Sequence, residues 1–266
     1  MLKTTGVDGG RRLGYREDGK GKPVILLHGL GPGSQSWEHQ VKGLRDQFHL
    51  IAWDMPGYGG SDPLPKETPT AADYAAELAA FMDSLNIQKA HVVGQSIGAI
   101  IAASFANHYE NRTLSITLSG ASSGNGTLDL VSREKNLKER LEMLSKNGPD
   151  SFAKISVSKC VAADTHPDTI EALTEHISMI SPEGYTPAVY MLINADIYSE
   201  LSHIKAPTMV MCGTEDHITP EQSVRKISEQ ISGAKYRKLP GLGHCTFFEG
   251  PDMYNSALRQ HLGGIQ

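Results

Sequence analysis

Three residues of this sequence have the side-chain types and the chain order that nucleophilic attack on a carbonyl group requires. They are Ser96, Asp216 and His244. A serine hydroxyl is a weak nucleophile at neutral pH, so it needs a base that accepts its proton, and the base needs a third group that fixes its tautomer. We therefore predict that Ser96 attacks, that His244 is the base and that Asp216 orients His244.

The nucleophile is predicted from its local sequence, Gly94-Gln95-Ser96-Ile97-Gly98. An apolar run from Ala90 to Val93 precedes it and is typical of a buried strand, and a helical pattern from Ala99 to His108 follows. A turn this tight between a strand and a helix forces the serine into a strained backbone conformation with its hydroxyl exposed. Glycines are needed on both sides because the two backbones approach too closely for side chains.

The base and its partner are chosen by position, because the chain has 11 histidines. His244 lies in a Gly-Leu-Gly-His segment after the last predicted strand, and Asp216 follows the strand before it. His28 precedes a glycine-rich loop and is predicted to support that loop, while Glu215 is the alternative acid. The chain order serine, aspartate, histidine is one that sheets with a strand–turn–helix nucleophile use.

A glycine-rich segment, His28-Gly29-Leu30-Gly31-Pro32-Gly33, follows the apolar run Pro23 to Leu27. Its glycines indicate a backbone that approaches a ligand closely and presents N–H groups to it. A tetrahedral intermediate carries negative charge on the former carbonyl oxygen, which two backbone N–H groups can stabilise. We predict that Leu30 and Ile97 are these oxyanion donors, with Gly31 as the alternative to Leu30.

The elements that must position these residues alternate between strand-like and helix-like segments, which predicts a mostly parallel sheet with helices on both faces. Ligands bind beyond the carboxyl ends of the strands in such sheets. Strand-like runs vanish between about 121 and 199, and we interpret this stretch as a helical cap inserted into a core of residues 1–120 and 200–266. In the core we predict an edge strand at Arg11–Glu17 and a helix at Ser36–Phe48. In the cap we predict helices at Leu130–Lys146, Pro149–Val161, Pro167–Ile180 and Tyr185–Asp196.

The composition of the 266 residues is ordinary for a globular protein in water, with 39% hydrophobic and 21% charged residues. A net charge of −5 argues against nucleic acid as a partner, and no apolar run is long enough to cross a membrane. The N-terminal residues lack an apolar signal segment and the three cysteines are far apart, so we expect free thiols and a cytoplasmic location. No metal-ligand spacing is present, and the predicted chemistry needs no cofactor.

With these motifs the sequence resembles the α/β-hydrolase superfamily. The resemblance is carried by His28-Gly29-Leu30-Gly31, the Ser96 pentapeptide, Asp216 and Gly243-His244, and it spans the chain apart from the cap. It implies an α/β-hydrolase fold and an enzyme that cleaves a carboxylic ester or lactone through an acyl-enzyme. In the cap, the stretches Ser181-Pro182-Glu183-Gly184-Tyr185 and Asn194-Ala195-Asp196 are similar to 3-oxoadipate enol-lactonases, which cleave an enol-lactone with a serine nucleophile.

Other functions remain open at this point. The loop from His28 to Gly33 also resembles that of hydrolases that cut carbon–carbon bonds of aromatic meta-cleavage products. Those enzymes commonly carry a tryptophan after the catalytic histidine, where this chain has Cys245, and a further one where it has Phe248. A ligand receptor on the same fold, or a cofactor-free acyl transferase or perhydrolase, would keep the same three residues.

The predicted substrate is a small to medium ester or lactone with an apolar portion. The residues proposed to bind it are Gly31, Trp37, Gln95, Tyr185 and Phe247. No arginine that would bind a carboxylate group is evident from the sequence near Tyr185. The sequence leaves open whether the chain forms a homo-oligomer.

Overall fold

A sheet of eight strands forms the centre of the computed structural model, which describes residues 1–265. The strands are β1 (Lys3–Gly6), β2 (Arg12–Asp18), β3 (Lys22–Leu27), β4 (Phe48–Trp53), β5 (Ala90–Gln95), β6 (Thr113–Ser119), β7 (Thr208–Gly213) and β8 (Lys235–Leu239). Their order across the sheet is β1-β2-β4-β3-β5-β6-β7-β8. The β1–β2 and β2–β4 pairs are antiparallel and the other five pairs are parallel, so the prediction of a mostly parallel sheet is confirmed.

Helices connect the parallel strands or follow the last of them, β8. They are α1 (Glu38–Leu44), α2 (Ala71–Ser84), α3 (Ile97–His108), α4 (Leu130–Cys160), α5 (Pro167–Ser178), α6 (Pro182–Asn194), α7 (Tyr198–Leu201), α8 (Glu221–Glu229), α9 (Thr246–Glu249) and α10 (Pro251–Leu262). The connection from β3 to β4 runs toward one edge of the sheet, whereas those from β4 to β5 and β5 to β6 run toward the other. Because such crossovers are right-handed, α1 lies on one face, where it packs against α10, and α2 and α3 pack together on the opposite face.

The central strands are buried on both faces, which explains their continuous apolar runs. Every residue of β5 is buried, as are Val24 to Leu27 of β3. The registers align the carboxyl ends of neighbouring strands, since Leu27 pairs with Gly94 and Gln95 pairs with Ser119. The loops that follow β3, β5, β6, β7 and β8 therefore emerge at one edge of the sheet.

Helices α4, α5 and α6 occupy the stretch between β6 and β7, and α4 packs against both of the others. Helix α4 is interrupted at Gly148, which has φ 70° and ψ 170° and precedes Pro149, so its two halves match the two predicted helices. Ser181 caps α6 through a hydrogen bond from the Gly184 amide. The cap boundary at 121–199 remains a prediction, and α7 lies across its C-terminal end.

Several local predictions differ from the structure. The strand predicted at Arg11–Glu17 is not at the edge of the sheet, because β1 pairs with β2 on its outer side. The helix predicted over Ser36–Phe48 is shorter, since a 3₁₀ turn, Ser34–Trp37, precedes α1. Helix α9 was not predicted, because its four residues are too few to show a helical period. No helix within residues 1–265 combines the length and apolar character needed to cross a membrane.

Candidate active site

Ser96 lies in the turn between β5 and α3 with φ 56° and ψ −114°, a conformation that is rare for a non-glycine residue. Its amide donates a hydrogen bond to the Ser119 carbonyl at 2.9 Å, which fixes the turn against β6. A Cβ on Gly94 would collide with the Gly98 carbonyl oxygen, and a Cβ on Gly98 with the Leu27 carbonyl oxygen. Both glycines are therefore required by the close contact between strand and helix.

Asp216 and His244 meet from the loops that follow β7 and β8. His244 Nδ1 lies 2.8 Å from Asp216 Oδ2, and each residue is only 4% exposed. With Nδ1 donating to the carboxylate, Nε2 is left as the acceptor. Ser96 and His244 line the same cavity, although no hydrogen bond within residues 1–265 joins their side chains. Such bonds commonly tighten only when a substrate binds.

Four hydrogen-bond donors converge on the Asp216 carboxylate. Oδ1 accepts the amides of Ile218 at 2.9 Å and Thr219 at 2.8 Å, and Oδ2 accepts the Thr219 hydroxyl at 2.7 Å besides the imidazole. The alternative acid, Glu215, is exposed. Burial alone would raise the pKa of Asp216, but the hydrogen bonds and charge of His244 and the Thr219 donors outweigh it and lower this pKa. Asp216 is thereby kept ionised.

Asp216 has the opposite effect on its partner. Burial alone would lower the pKa of His244, because it disfavours the charged imidazolium. The hydrogen bond and the negative charge of Asp216 outweigh that effect and raise the pKa of His244 above its ordinary value. Asp216 therefore stabilises the protonated, imidazolium form of His244.

His28 organises the glycine-rich loop beside the nucleophile. Its Nε2 accepts the Met55 amide at 3.0 Å, so Nδ1 carries the proton and donates to the Gly29 carbonyl at 2.8 Å. Complete burial lowers the pKa of His28 to about 4, and the ring is thus neutral and fixed in one tautomer. The Tyr58 hydroxyl donates to the Leu30 carbonyl at 2.6 Å and holds the next turn of the loop. This arrangement fits the structural role predicted for His28.

The two predicted oxyanion donors lie on either side of the Ser96 turn. A Cβ on Gly29 would lie 3.4 Å from the Ser96 Cβ and would collide with Gln95 Oε1, so the loop passes directly over the nucleophile. Leu30 and Ile97 both line the cavity. Within residues 1–265, neither of their N–H groups donates to another protein group. For Ile97 this follows from its place as the first residue of α3.

A cavity of about 750 Å³ opens at Ser96 and is lined by the strand-end loops and by residues of α4, α5 and α6. Among the residues predicted to bind substrate, Gly31, Gln95 and Tyr185 line it. Gln95 also joins the end of β5 to the loop that carries His244, because its Nε2 donates to the His244 carbonyl at 3.3 Å. The side chain of Ile177 on α5 would lie 3.2 Å from a Cβ at Gly31, so α5 packs directly on the glycine-rich loop.

Trp37 and Phe247 do not line this cavity, and their predicted role in substrate binding is corrected by their position. Both are fully buried. Their ring centroids are 4.5 Å apart, and the Tyr254 ring of α10 is next to both. The pair joins the 3₁₀ turn after β3 to α9 and α10, and it serves the core of the fold.

Two residues of α4 that the sequence did not reveal, Arg140 and Lys159, also line the cavity. Arg140 is close to Tyr185, whose hydroxyl donates to the Arg140 carbonyl at 3.1 Å. Neither cation forms a salt bridge within residues 1–265, whereas Glu139, the carboxylate in the same wall, lies 3.9 Å from Lys135. Their approach to Ser96 depends on how α4 folds over the sheet, and no sequence motif signals it.

Glu249 joins the histidine loop to the cap. Its Oε2 accepts the amides of Gly243 at 3.0 Å and Ala162 at 2.8 Å, and the Thr165 hydroxyl at 3.0 Å. The His244 amide also donates to the Cys160 carbonyl at 2.6 Å. The end of α4 is therefore fixed beside the base. Within residues 1–265, no three His, Cys, Asp or Glu side chains are grouped as a metal ion would require.

The sheet, the strained turn at Ser96 and the buried Asp216–His244 pair are the features of a hydrolase of the α/β class. The family model for the alpha/beta hydrolase fold matches residues 22–251, and the chain belongs to this family. A pimeloyl-[acyl-carrier protein] methyl ester esterase of Chromobacterium violaceum is 28% identical over 92% of this chain and 95% of its own.

Solved structures agree with this family. A thermophilic esterase from Thermogutta terrifontis superposes with a TM-score of 0.89 at 25% identity, covering 99% of this chain and 98% of its own. The enol-lactonase from Burkholderia xenovorans LB400 has a TM-score of 0.86 at 24% identity, covering 98% of this chain and all of its own. At that identity the enol-lactonase supports the fold alone. The chain is an enzyme, a hydrolase, as its sequence predicted.

Proposed function

We propose that this protein is a serine hydrolase that cleaves a carboxylic ester or lactone of small to medium size through an acyl-enzyme. The observation that carries the proposal is the buried Asp216–His244 pair, which shares a cavity with the strained Ser96 and with the unbonded amides of Leu30 and Ile97. A nucleophile, an oriented base and oxyanion donors are the groups that acyl transfer needs.

In the proposed mechanism, Ser96 Oγ attacks the carbonyl carbon while His244 Nε2 accepts its proton. Asp216 holds the imidazole through Nδ1 and stabilises the imidazolium that forms. The amides of Leu30 and Ile97 donate to the oxyanion, where a single such donor contributes about 2.7–4 kcal/mol. Collapse of the intermediate expels the alcohol or enol, which takes the proton back from His244. Water activated by His244 then releases the acid and regenerates Ser96.

The cap residues support a substrate that carries a carboxylate remote from the cleaved bond. Arg140 and Lys159 line the cavity without a salt-bridge partner within residues 1–265. An arginine fork binds a carboxylate bidentately, and a charge-assisted bond of this kind is about twice as strong as a neutral one. The side chains of Met143, Phe152, Ile177 and Leu192 in the same wall suit an apolar portion between the two groups. We further propose residues 121–199 as the cap that sets this preference.

The experiment that tests the proposal compares turnover of matched substrates by the wild-type chain and by Ser96→Ala. Short esters and lactones, each with and without a terminal carboxylate, are assayed beside a meta-cleavage product. Serine-dependent cleavage of the esters or lactones supports the proposal. A preference for the meta-cleavage product would favour carbon–carbon hydrolysis, and wild-type rates no higher than those of Ser96→Ala would favour a ligand receptor.

The carboxylate preference has its own variants. Arg140→Gln should raise KM for the carboxylate-bearing member of each pair by about tenfold or more, because a charge-assisted hydrogen bond is lost. KM for the uncharged member should stay near the wild-type value, and Lys135→Gln, on the same helix but outside the cavity, should change neither. Equal effects on both members would show that Arg140 does not bind the carboxylate.

A further inference from the structure

Two thiols, Cys160 and Cys245, lie in the wall of the catalytic cavity, and the proposed hydrolysis uses neither. We propose that they form a dithiol site that a hydroperoxide oxidises to an intramolecular disulfide. The bond would join the end of α4 in the cap to the loop that carries His244.

The backbones that carry the two thiols run side by side. The His244 amide donates to the Cys160 carbonyl at 2.6 Å, and a Cβ on Gly243 would lie 2.7 Å from the same oxygen. Glu249 fixes this arrangement, since one carboxylate oxygen accepts an amide from each segment. A disulfide requires Cα atoms within about 7 Å of each other. Cys245 follows His244 directly in the chain, so the hydrogen bond between His244 and Cys160 places the two cysteines on adjoining segments before any oxidation occurs.

The environment gives the two sulfurs different roles. The neighbouring Cys245 thiol outweighs burial and lowers the pKa of Cys160 to about 7, and the nearby His244 adds to the effect. The neighbouring Cys160 sulfur, together with burial, raises the pKa of Cys245 well above its usual range. Cys160 is therefore the thiolate that reacts first, and Cys245 is the thiol that resolves the product.

The third cysteine provides an internal contrast. Cys212 is fully buried in β7, and burial raises its pKa to about 12. It is absent from the cavity wall. A buried thiol of this kind is inert toward oxidants and alkylating agents, so Cys212 serves as the matched control.

The chemistry balances with the hydroperoxide as the only oxidant. The Cys160 thiolate attacks one peroxide oxygen, the O–O bond breaks, and the other oxygen leaves as hydroxide or alkoxide and takes up a proton. Cys160 is then a sulfenic acid. The Cys245 sulfur attacks the sulfenic sulfur as its own proton leaves, an S–S bond forms, the S–O bond breaks, and water departs. The two cysteines together lose two electrons and two protons, and the hydroperoxide is reduced to water and an alcohol, or to two waters.

The test treats the full chain with hydrogen peroxide at neutral pH, blocks remaining thiols and measures covalent mass with peptide mapping. We expect a loss of two hydrogens and one peptide pair linked through Cys160 and Cys245, both reversed by dithiothreitol. Cys212→Ser should behave like the wild-type chain. Cys160→Ser and Cys245→Ser should each prevent the loss, and in Cys245→Ser dimedone should label Cys160. Without peroxide, iodoacetamide should label Cys160 at least about tenfold faster than Cys212.

An unchanged mass after treatment, a disulfide between two copies of the chain, or a loss of two hydrogens that persists in Cys160→Ser would overturn the proposal. If a serine variant fails to fold, as judged by circular dichroism, the peptide map of the wild-type chain still decides. Because the readout is covalent mass and not turnover, the outcome does not depend on whether Ser96 hydrolyses an ester.

Discussion

The Thr219 hydroxyl donates to Asp216 Oδ2 at 2.7 Å, on the same oxygen that accepts the Nδ1–H of His244 at 2.8 Å. The Thr219 amide donates to the other oxygen, Oδ1, at 2.8 Å. One residue therefore holds both oxygens of the carboxylate that orients the base. The sequence motifs predicted Asp216 as the acid, but they did not predict that Thr219 holds its carboxylate.

Replacing Thr219 by valine removes the hydroxyl and keeps the size of the side chain. A hydrogen bond to a charged group contributes about 1.5–3 kcal/mol, and if about half of that stabilisation is realised in the transition state, kcat should fall by roughly 3- to 12-fold with little change in KM. Thr219→Ser keeps the hydroxyl and should remain near the wild-type rate. Steady-state kinetics on one ester decide the point, and indistinguishable Val and Ser variants would exclude a positioning role.

Ser96→Ala and His244→Ala should each lower kcat by roughly 10⁴- to 10⁶-fold, because nucleophile and base act in the same proton transfer. For the same reason the double variant should be little slower than either single one. Circular dichroism and thermal unfolding should show that all three variants remain folded. Effects that multiply in the double variant would mean that the two residues act independently.

The rate should fall in acid with a midpoint above the ordinary histidine value of 6.5, because the raised pKa of His244 leaves the base protonated at a higher pH. Only the neutral imidazole accepts the Ser96 proton, so the loss follows protonation as the pH decreases. Asp216→Asn removes the charge that raises this pKa, and its midpoint should move to lower pH while kcat drops by about 10⁴-fold. A pH–rate profile of kcat/KM measures the midpoint, and rates at saturating substrate measure kcat. An unmoved midpoint in Asp216→Asn would contradict the assignment.

Gly120 lies against the acid–base pair with φ 48°, and a Cβ there would lie 3.2 Å from His244 Nδ1 and 3.3 Å from Asp216 Oδ2. Gly120→Ala should destabilise the fold by about 1–3 kcal/mol through its positive φ and should also lower kcat. Gly241→Ala is the matched control, since its φ is 72° and nothing lies within 4 Å of the added Cβ. The control should lose a similar unfolding free energy in a denaturant titration but keep its kcat. An unchanged kcat in Gly120→Ala would mean that displacement of Asp216 and His244 does not affect turnover.

The residues that follow strands were predictable because the sheet itself determines their location. Ser96 directly follows the buried strand β5, Asp216 comes a few residues after the buried strand β7, and His244 comes a few residues after the edge strand β8. Parallel registers carry all of these strand ends to one edge of the sheet. The flanking glycines were predictable for a steric reason, since Gly94 and Gly98 face backbone atoms where no side chain fits. A short motif with glycines at fixed positions therefore indicates such a backbone constraint.

Side-chain surroundings were less predictable, because they depend on contacts between segments that are far apart in the chain. Trp37 and Phe247 have the apolar rings that a pocket wall would need, yet they pack on each other in the core. Arg140 is one of several charged residues on α4, and only the packing of that helix against α6 brings it beside Tyr185. No periodicity distinguishes a cation that faces a cavity from one that faces solvent.

The break at Gly148 and Pro149 divides α4 into two parts with different contacts. The first part brings Arg140 into the cavity wall, whereas the second adds Phe152 and Lys159 to that wall and ends at Cys160, whose carbonyl accepts the His244 amide. The first part of α4 can therefore vary with the substrate, whereas the second part is constrained by its hydrogen bond to the His244 loop. Exchange of residues 130–147 for the equivalent segment of a related hydrolase should change which substrates are cleaved. The geometry of Asp216 and His244 should stay as it is in the wild-type chain.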